Sequence, residues 1–274
     1  MIADYHTHTP LCQHAEGEPE AFIDAALAAG LAEYGISDHA PHTPEPFDDW
    51  RMLESQLPDY FAWIERARQH AAGRLPVRAG LECDWLPGCE SWIESLATRH
   101  DWDYLIGSVH YLGREFDFDN PKWLGRWSEI DVVETWQAYW REYENMIRSG
   151  LFDLHAHPDL IKKFSYAPPG DLRPYYEPVI QALVDTGGAI ELNTAGWNKP
   201  CAEQYPARPF LELAAQARLP IVISSDAHHP SEVARDFPQA LSLLKECGFR
   251  ESAHFKQRAL TRHPLPADLT TRNN

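Results

Sequence analysis

Three histidines lie close together near the start of the chain, in the segment DYHTHTPLCQH. Residues i and i+2 of a β-strand share one face, so His6 and His8 could bind one metal ion, and His14 follows a few residues later. A histidine on a buried strand is also a common hydrogen-bonded core residue. The spacing of these three residues alone leaves both packing and metal binding open.

Further potential metal ligands lie at or just past the ends of most other strand candidates. In a parallel α/β barrel the carboxyl ends of the strands converge at the active face. Burying many ionisable groups at one end without partners would be costly, whereas a metal cluster gives them a common cause. The residues at these strand ends are His39, Glu82, His110, His157 or His155, Asp226 and His228.

The composition of this ligand set indicates which metals it suits. Imidazole and carboxylate groups together favour zinc, manganese or iron, because calcium and magnesium prefer oxygen ligands. Seven histidines, one glutamate and one aspartate are too many for a single tetrahedral ion. We therefore expect two or three divalent transition metals, with Glu82 or Asp226 as a bridge. Such a pocket would be positive and would attract a small anionic substrate.

The elements that position these residues follow a repeating strand and helix pattern. Amphipathic segments such as LPDYFAWIERARQHA and YEPVIQALVDTGG separate several of the strand candidates, which predicts parallel strands joined by helices. Seven strands in one domain favour a barrel over an open sheet, and neither a G-x-G-x-x-G turn nor a P-loop is present. The strand candidates are IADYHTH, EYGISDH, VRAGLEC, YLIGSVH, FDLHAH, AIELNTAG and PIVISSDAH.

Composition narrows the class of protein. The 274 residues carry a net charge of -17, from 41 acidic and 24 basic side chains, which disfavours nucleic-acid binding. The five cysteines form no CxxC pair, so we expect reduced thiols. No apolar run approaches the roughly 18 residues that span a bilayer, and no signal segment is evident, so we expect a soluble cytoplasmic protein without membrane contact.

Eight segments together resemble the polymerase-and-histidinol-phosphatase (PHP) superfamily over about residues 1 to 260. Of these, GLECDW, IGSVHYL and NTAG look most like its monofunctional histidinol-phosphate phosphatase branch. The resemblance implies an α/β fold, a distorted TIM-like (βα)7 barrel in a single domain. We expect the barrel over residues 1–262 and a polar C-terminal tail over residues 263–274. The other segments are DYHTHT, CQHAEG, SDHA, HPDLIKKF and SSDAHHP.

The same resemblance implies a site with three metals. The first metal would be held by His6, His8, Glu82 and Asp226. Glu82 would bridge to a second metal held with His110 and His157, and the third would be held by His14, His39 and His228. His155 and His157 share one face of a regular strand, but the histidine before Pro-Asp matches the family motif, so His157 is the predicted ligand.

The resemblance further implies hydrolysis of L-histidinol phosphate to L-histidinol and phosphate, in histidine biosynthesis. A metal-bridging hydroxide would attack the phosphorus. Asp226 and His228 are the catalytic candidates for protonating the leaving group. Weaker candidates for substrate contact are Glu16, Lys162, Lys163 and Asn193, with Trp123 and Trp127 as parts of a lid.

Three other readings compete with this hypothesis. Another PHP phosphoesterase could act on nucleotides or DNA ends, although the acidic composition argues against it. Members of the amidohydrolase superfamily also carry a His-x-His motif on the first strand of their barrel. Those with two metals usually need a lysine that bridges the metals at the end of the fourth strand, and this sequence has SVH at that place. An inactive PHP interaction module is the alternative outside enzymes, and the filled ligand positions disfavour it. Oligomeric state is not predicted.

Overall fold

A computed structural model describes residues 1–268 of the chain. The strands are β1 Ala3–Asp4, β2 Glu33–Ile36, β3 Val77–Ala79, β4 Glu82–Asp84, β5 Ile106–Ser108, β6 Leu154–His155, β7 Ala189–Asn193, β8 Ile221–Ser224, β9 Glu251–Lys256 and β10 Ala259–Pro264. The α-helices are α1 Pro19–Ala28, α2 Leu57–Ala71, α3 Glu90–Ala97, α4 Val132–Arg148, α5 Arg173–Thr186, α6 Arg208–Gln216 and α7 Phe237–Cys247.

The first eight strands form the wall of a barrel in which every neighbouring pair is parallel. One sheet has the order β1-β2-β3 and the other has the order β4-β5-β6-β7-β8. Parallel bridges between His39 and Glu82 and between Thr7 and Ala227 join the two sheets at both edges. The barrel is therefore closed, as the predicted α/β barrel requires.

A break within one predicted strand separates the two sheets. The segment VRAGLEC forms β3 and β4, with Gly80 and Leu81 between them. A Cβ atom at position 80 would overlap the ring of Tyr104, so only glycine fits against that ring. Counting β3 and β4 as one bent strand leaves seven around the wall formed by residues 3–224, in agreement with the predicted (βα)7 barrel.

Amphipathic helices cover the outside of the barrel. In α4, the Asp131 carboxylate caps the first turn by accepting from the backbone N–H groups of Val133 and Glu134. The inner face of this helix buries large aromatic residues, and α4 packs along α5. The helical periodicity in the sequence predicted its neighbour α5 and also α2. The buried aromatic residues of α4 are Trp136, Tyr139, Trp140 and Tyr143.

An antiparallel hairpin, β9 and β10, closes the amino-terminal end of the barrel. Phe255 packs against Tyr5 and Tyr104, with ring centroids 5.5 and 6.0 Å apart. The sequence patterns did not predict this hairpin. The expected boundary at residue 262 falls inside it, because His263 and Pro264 pair with β9. Residues 269–274 of the expected tail lie outside the described residues.

None of the helices in residues 1–268 combines the length and the apolar character needed to cross a membrane.

Candidate metal centre

The carboxyl ends of the barrel strands bring the nine predicted ligands into one cluster. His6 and His8 follow β1 in an extended segment that runs beside β8, and the His8 N–H donates to the Ala227 carbonyl at 2.9 Å. This pairing fixes the backbone of the His-x-His segment. Both imidazoles are almost fully buried, and their ring centroids lie 5.1 Å apart.

The Glu82 carboxylate is the centre of the cluster and is fully buried. Its Oε2 lies 2.7 Å from His39 Nδ1 and 3.4 Å from His6 Nε2. Its Oε1 lies 3.1 Å from His157 Nε2 and 3.7 Å from His110 Nε2. Burial alone would raise the pKa of Glu82, but the surrounding histidines hold it well below its ordinary value. Glu82 is thus an ionised carboxylate facing four imidazoles from four parts of the barrel.

Asp226 connects the central group to the outer histidines. Its Oδ1 lies 3.0 Å from His8 Nε2 and 3.8 Å from His6 Nε2. The residue adopts a left-handed backbone conformation with φ of 55°, which is uncommon outside glycine. The His228 Nδ1–H donates to the Asp226 backbone carbonyl at 2.9 Å. Strained backbone conformations of this kind cluster at functional sites, where they fix the direction of a side chain.

The outer part of the cluster consists of His14, His39 and His228, with His8 beneath them. The His14 and His228 ring centroids lie 4.5 Å apart, and those of His14 and His39 lie 5.4 Å apart. His14 Nδ1–H donates to the Cys12 carbonyl at 2.8 Å, which leaves Nε2 with a free lone pair. Burial lowers the pKa of His39 to about 4 and also holds that of His228 well below its ordinary value. These neutral rings are suited to metal binding.

Three buried carboxylates outside the predicted ligand set hold the inner histidines by their Nδ1 atoms. His6 donates to Glu191 at 3.1 Å, and His8 donates to Asp38 at 3.3 Å. His110 donates to Asp84 at 2.7 Å. These hydrogen bonds fix the tautomers and orient the rings, as carboxylates behind metal-bound histidines generally do. The carboxylate partners are Asp38, Asp84 and Glu191.

This tautomer assignment makes the cluster a good fit for metal ions. When His6 and His8 donate through Nδ1 and carry no second proton, their Nε2 lone pairs face the oxygens of Glu82 and Asp226. Such pairs of acceptors repel one another unless a cation lies between them. Among the described residues, His6 Nε2, Glu82 Oε2 and His228 Nε2 are buried without a hydrogen-bond partner, which is unusual for buried polar atoms.

Distances between ligand atoms agree with this conclusion. Three sets each bring one atom per residue within 4.8 Å of the others: His6, Glu82 and His157; His6, His8 and Asp226; and His8, His39 and His228. Burial alone would lower the pKa of His6, but Glu191, Glu82 and Asp226 raise it well above its ordinary value. The carboxylates therefore attract positive charge into the centre. The donor set suits divalent transition metals.

A cavity of about 490 Å³ opens above the cluster. Its wall includes Trp50, whose ring centroid lies 4.7 Å from that of His39 and 5.4 Å from that of His110. Trp123 and Trp127 are not among the lining residues, so the lid expected from them is wrong: Trp127 is buried and donates to the Phe118 carbonyl.

Of the four candidates for substrate contact, only Lys163 lines the cavity. Lys163 lines the cavity and forms an ion pair of 2.8 Å with Asp119. Lys162 points elsewhere and is buried between Asp159 and Glu203, at 2.9 and 2.6 Å. Consecutive residues in this tight turn project in different directions. A phosphate clamp at Lys162 is therefore wrong, because its charge is already paired.

Glu16 and Asn193 also lie away from the cavity wall. The Glu16 side chain is exposed, and only its backbone contacts the cluster, by donating to the His228 carbonyl at 2.8 Å. Asn193 is fully buried, donates to Glu191 and Asp226, and accepts from the Ala195 N–H. Its hydrogen-bonding groups are used within the protein, so the structure contradicts substrate contact by Asn193.

His155 and His157 occupy different environments. His155 Nδ1–H donates to the Ala189 carbonyl at 2.9 Å, and burial lowers its pKa to about 4. His157 lies past the end of β6 in a backbone conformation with φ of 26°, and its N–H donates to Glu191 at 2.6 Å. This turn directs His157 to Glu82, and the choice of His157 over His155 as the metal ligand stays a prediction.

Comparison with known sequences now identifies the family. The sequence profile of the PHP domain matches residues 4–195. The chain belongs to the PHP family. A relative from Deinococcus radiodurans, named "Probable histidinol-phosphatase", is 44% identical over 250 residues, which cover 91% of this chain and 95% of the relative. The "Histidinol-phosphatase" of Bacillus subtilis is 27% identical, over 84% of this chain and 94% of its own length.

A solved structure has the same fold. The histidinol phosphate phosphatase from Lactococcus lactis, crystallised with zinc, L-histidinol and phosphate, superposes with a TM-score of 0.76. It is 23% identical in sequence, and the match covers 95% of this chain and 98% of that protein. The barrel of this PHP protein is therefore the fold that the sequence motifs predicted.

The residues that sequence reasoning missed share one signal. Asp38, Asp84 and Glu191 are acidic residues within or directly after otherwise apolar strands, in ISDH, ECD and IELN. A buried acid without a nearby cation in sequence requires a partner from elsewhere in the fold. That signal indicated buried partners, but the sequence offered no way to assign each acid to one histidine.

Proposed function

We propose that this protein is a metal-dependent phosphomonoesterase that hydrolyses L-histidinol phosphate to L-histidinol and phosphate. The observation that carries the proposal is the cluster of nine ligands around Glu82, at the floor of a cavity large enough for a small substrate. The relative that is 44% identical and named as a histidinol-phosphatase supports the choice of substrate. The proposed biological setting is histidine biosynthesis in the cytoplasm.

Two or three zinc, iron or manganese ions are the proposed cofactors. His6, His8, Glu82 and Asp226 would hold the first. Glu82, His110 and His157 would hold the second, and the third would be held by His14, His39 and His228. When bound, such ions supply a nucleophile at neutral pH and neutralise the charge on the phosphate oxygens.

The chain's own residues perform the remaining tasks. Asp38, Asp84 and Glu191 hold the imidazole rings in fixed orientations, so little reorganisation is needed during the reaction. Asp226 and His228 both line the cavity, but the pKa of each is held well below its ordinary value, so both are unprotonated and are proposed as metal ligands rather than as proton donors to the leaving alkoxide. Trp50 covers one side of the cluster with an apolar surface and limits the access of water there.

The test is an assay of phosphate release from a panel of esters by protein whose metals have been quantified. We expect L-histidinol phosphate to have the highest kcat/KM, and we expect a chelator to abolish activity that added zinc or manganese restores. Equal turnover of all esters would contradict the assigned substrate. Preferential release of nucleotides from single-stranded DNA would favour the alternative PHP nuclease function.

A further inference from the structure

Two aspartates on the cavity wall, Asp117 and Asp119, have no role in the metal cluster. They follow β5 in a tight hairpin in which the Phe118 N–H donates to the His110 carbonyl at 3.1 Å. This hairpin folds the chain back, so both carboxylates line the same cavity as the predicted ligand His110. They therefore lie beside the expected position of the substrate's phosphate.

The carboxylate of Asp117 is only partly satisfied within the described chain. Its Oδ2 accepts from Trp50 Nε1 at 3.0 Å and from Asn120 Nδ2 at 2.9 Å. Its Oδ1 is buried and has no hydrogen-bond partner among residues 1–268, although the whole residue is only 5% exposed. Leaving such an oxygen unpaired is costly, and both existing donors are neutral. Because Asp117 also lines the cavity, a charged donor in the cavity would lie beside this carboxylate.

The charges beside Asp117 would also accommodate a further cation. Asp117 and Asp119 are two residues apart in the same hairpin and both line the cavity, and Lys163 pairs with Asp119 at 2.8 Å. Two buried carboxylates side by side repel each other when both are ionised. One lysine balances only one of the two charges.

The other acidic residues on the cavity wall outside the metal cluster are already engaged. Glu232 pairs with Arg235 at 3.0 Å and accepts from the His228 N–H at 2.9 Å. Asp49 pairs with Lys122 at 2.5 Å, and its side chain is 69% exposed. Of the four acidic residues of this wall outside the metal cluster, Asp117 is the one that forms no ion pair within residues 1–268.

We propose that Asp117, supported by Asp119, is a specificity-determining residue that binds the ammonium group of the substrate. This inference rests on the function proposed above. In L-histidinol phosphate the amine is attached to the carbon next to the one that bears the ester. With the phosphate at the metals, the ammonium lies near the wall adjoining the cluster, where Asp117 pairs with Tyr111, the residue after His110.

The test compares two substrates in the D117N variant. An amide of the same shape can still accept from Trp50 and Asn120 but lacks the negative charge. For L-histidinol phosphate we expect kcat/KM to fall about 10- to 100-fold, mainly through a higher KM, because one charge-assisted hydrogen bond is lost. For imidazolylpropanol phosphate, which lacks the amine, we expect a change of less than about threefold. Metal content and Tm should match the wild type.

The D49N variant is the matched control, because it removes an acidic group from the cavity rim that is exposed and paired with Lys122. It should leave both substrates unaffected. If D117N slows both substrates equally, or slows neither, the ammonium site is refuted while the proposed function stands. If the wild type does not prefer L-histidinol phosphate to the analogue without the amine, the ammonium site fails together with the assigned substrate. The ammonium site would be supported if D117E keeps the wild-type preference for L-histidinol phosphate over the analogue without the amine and D117N loses this preference.

Discussion

The two ends of the barrel use ring side chains for opposite purposes. At the amino-terminal end, Tyr5, Tyr104 and Phe255 pack against one another, and their polar atoms are satisfied: Tyr104 donates to the Tyr5 carbonyl at 2.6 Å, and Tyr5 donates to Glu33 at 2.7 Å. At the carboxyl-terminal end, imidazoles face carboxylates with buried atoms that lack partners within residues 1–268. The first end stabilises the fold, and the second is prepared for ligands.

The contrast begins at two consecutive residues. Tyr5 belongs to the aromatic cluster and His6 to the metal centre, although one peptide bond joins them. A barrel wall separates stabilising and reactive groups in this way because each strand runs from one end to the other. Changes at the two ends should therefore affect different measurements.

The largest expected effect is that of Glu82→Gln at the carboxyl-terminal end. The amide has the same shape but removes the negative charge that four imidazoles face, so we expect phosphatase activity to fall by more than about 100-fold and bound metal to be lost. Metal analysis and phosphate release measure both effects. Retained metal and activity would show that Glu82 is not the centre of the site.

The opposite pattern is expected for Phe255→Ala at the amino-terminal end. Removing this buried ring leaves a cavity beside Tyr5 and Tyr104, and we expect the free energy of unfolding to fall by about 3 to 5 kcal/mol. Denaturant unfolding measures this loss. Metal content per folded chain and KM should remain those of the wild type, and a selective loss of metal would contradict the separation of the two ends.

A smaller effect is expected for Glu191→Gln, which changes a positioning residue. Glu191 accepts from the His6 imidazole and from the His157 backbone, so we expect metal affinity to weaken about 10- to 100-fold. Competition with a metal-binding dye measures the affinity directly. Glu212→Gln, at an exposed glutamate that pairs with Arg208, is the matched control and should change nothing. Unchanged affinity in E191Q would remove Glu191 from the site.

The smallest expected effect concerns pH and the amino-terminal end. Burial alone would raise the pKa of Glu33, but hydrogen bonds from Arg78, His254 and Tyr5 lower it from 4.5 to about 2. A lowered pKa in the folded state contributes stability above pH 4.5, and this stability is lost as the pH falls towards 2. After allowance for solvent screening, the contribution is about 1 kcal/mol.

Unfolding curves between neutral pH and pH 2 check this prediction. In Glu33→Gln the additional loss of stability below pH 4.5 should disappear, since the amide does not titrate. An acid-dependent loss of equal size in the variant would assign that loss to other carboxylates.

Most of the predicted ligands were accessible from sequence because they lie at or just past a strand end, and a parallel barrel gathers strand ends. The role of His14, on the loop after β1, came from the family resemblance. The supporting carboxylates were not accessible from sequence, since His6 and Glu191 meet across 185 positions of the chain. Lys162 and Lys163 show a different limit. They are adjacent in sequence, yet only Lys163 lines the cavity, because the local backbone turn decides the direction of each side chain.

The barrel was predictable from alternation of strands and helices, but two of its features were not. The break at Gly80 depends on the ring of Tyr104, which is distant in sequence. The hairpin of β9 and β10 follows the last predicted strand and lacks the helical pattern that marked the other units. Its role became evident only from the contacts of Phe255 with Tyr5 and Tyr104.

The most direct test of the metal-dependent function is phosphate release from L-histidinol phosphate by one preparation in three states. These are protein as purified with its metals quantified, the same protein after chelation, and the chelated protein after metal is restored. We predict two or three divalent metals per chain, activity that disappears with chelation, and recovery with zinc or manganese. Full activity in protein from which all metal has been removed would contradict the proposed function.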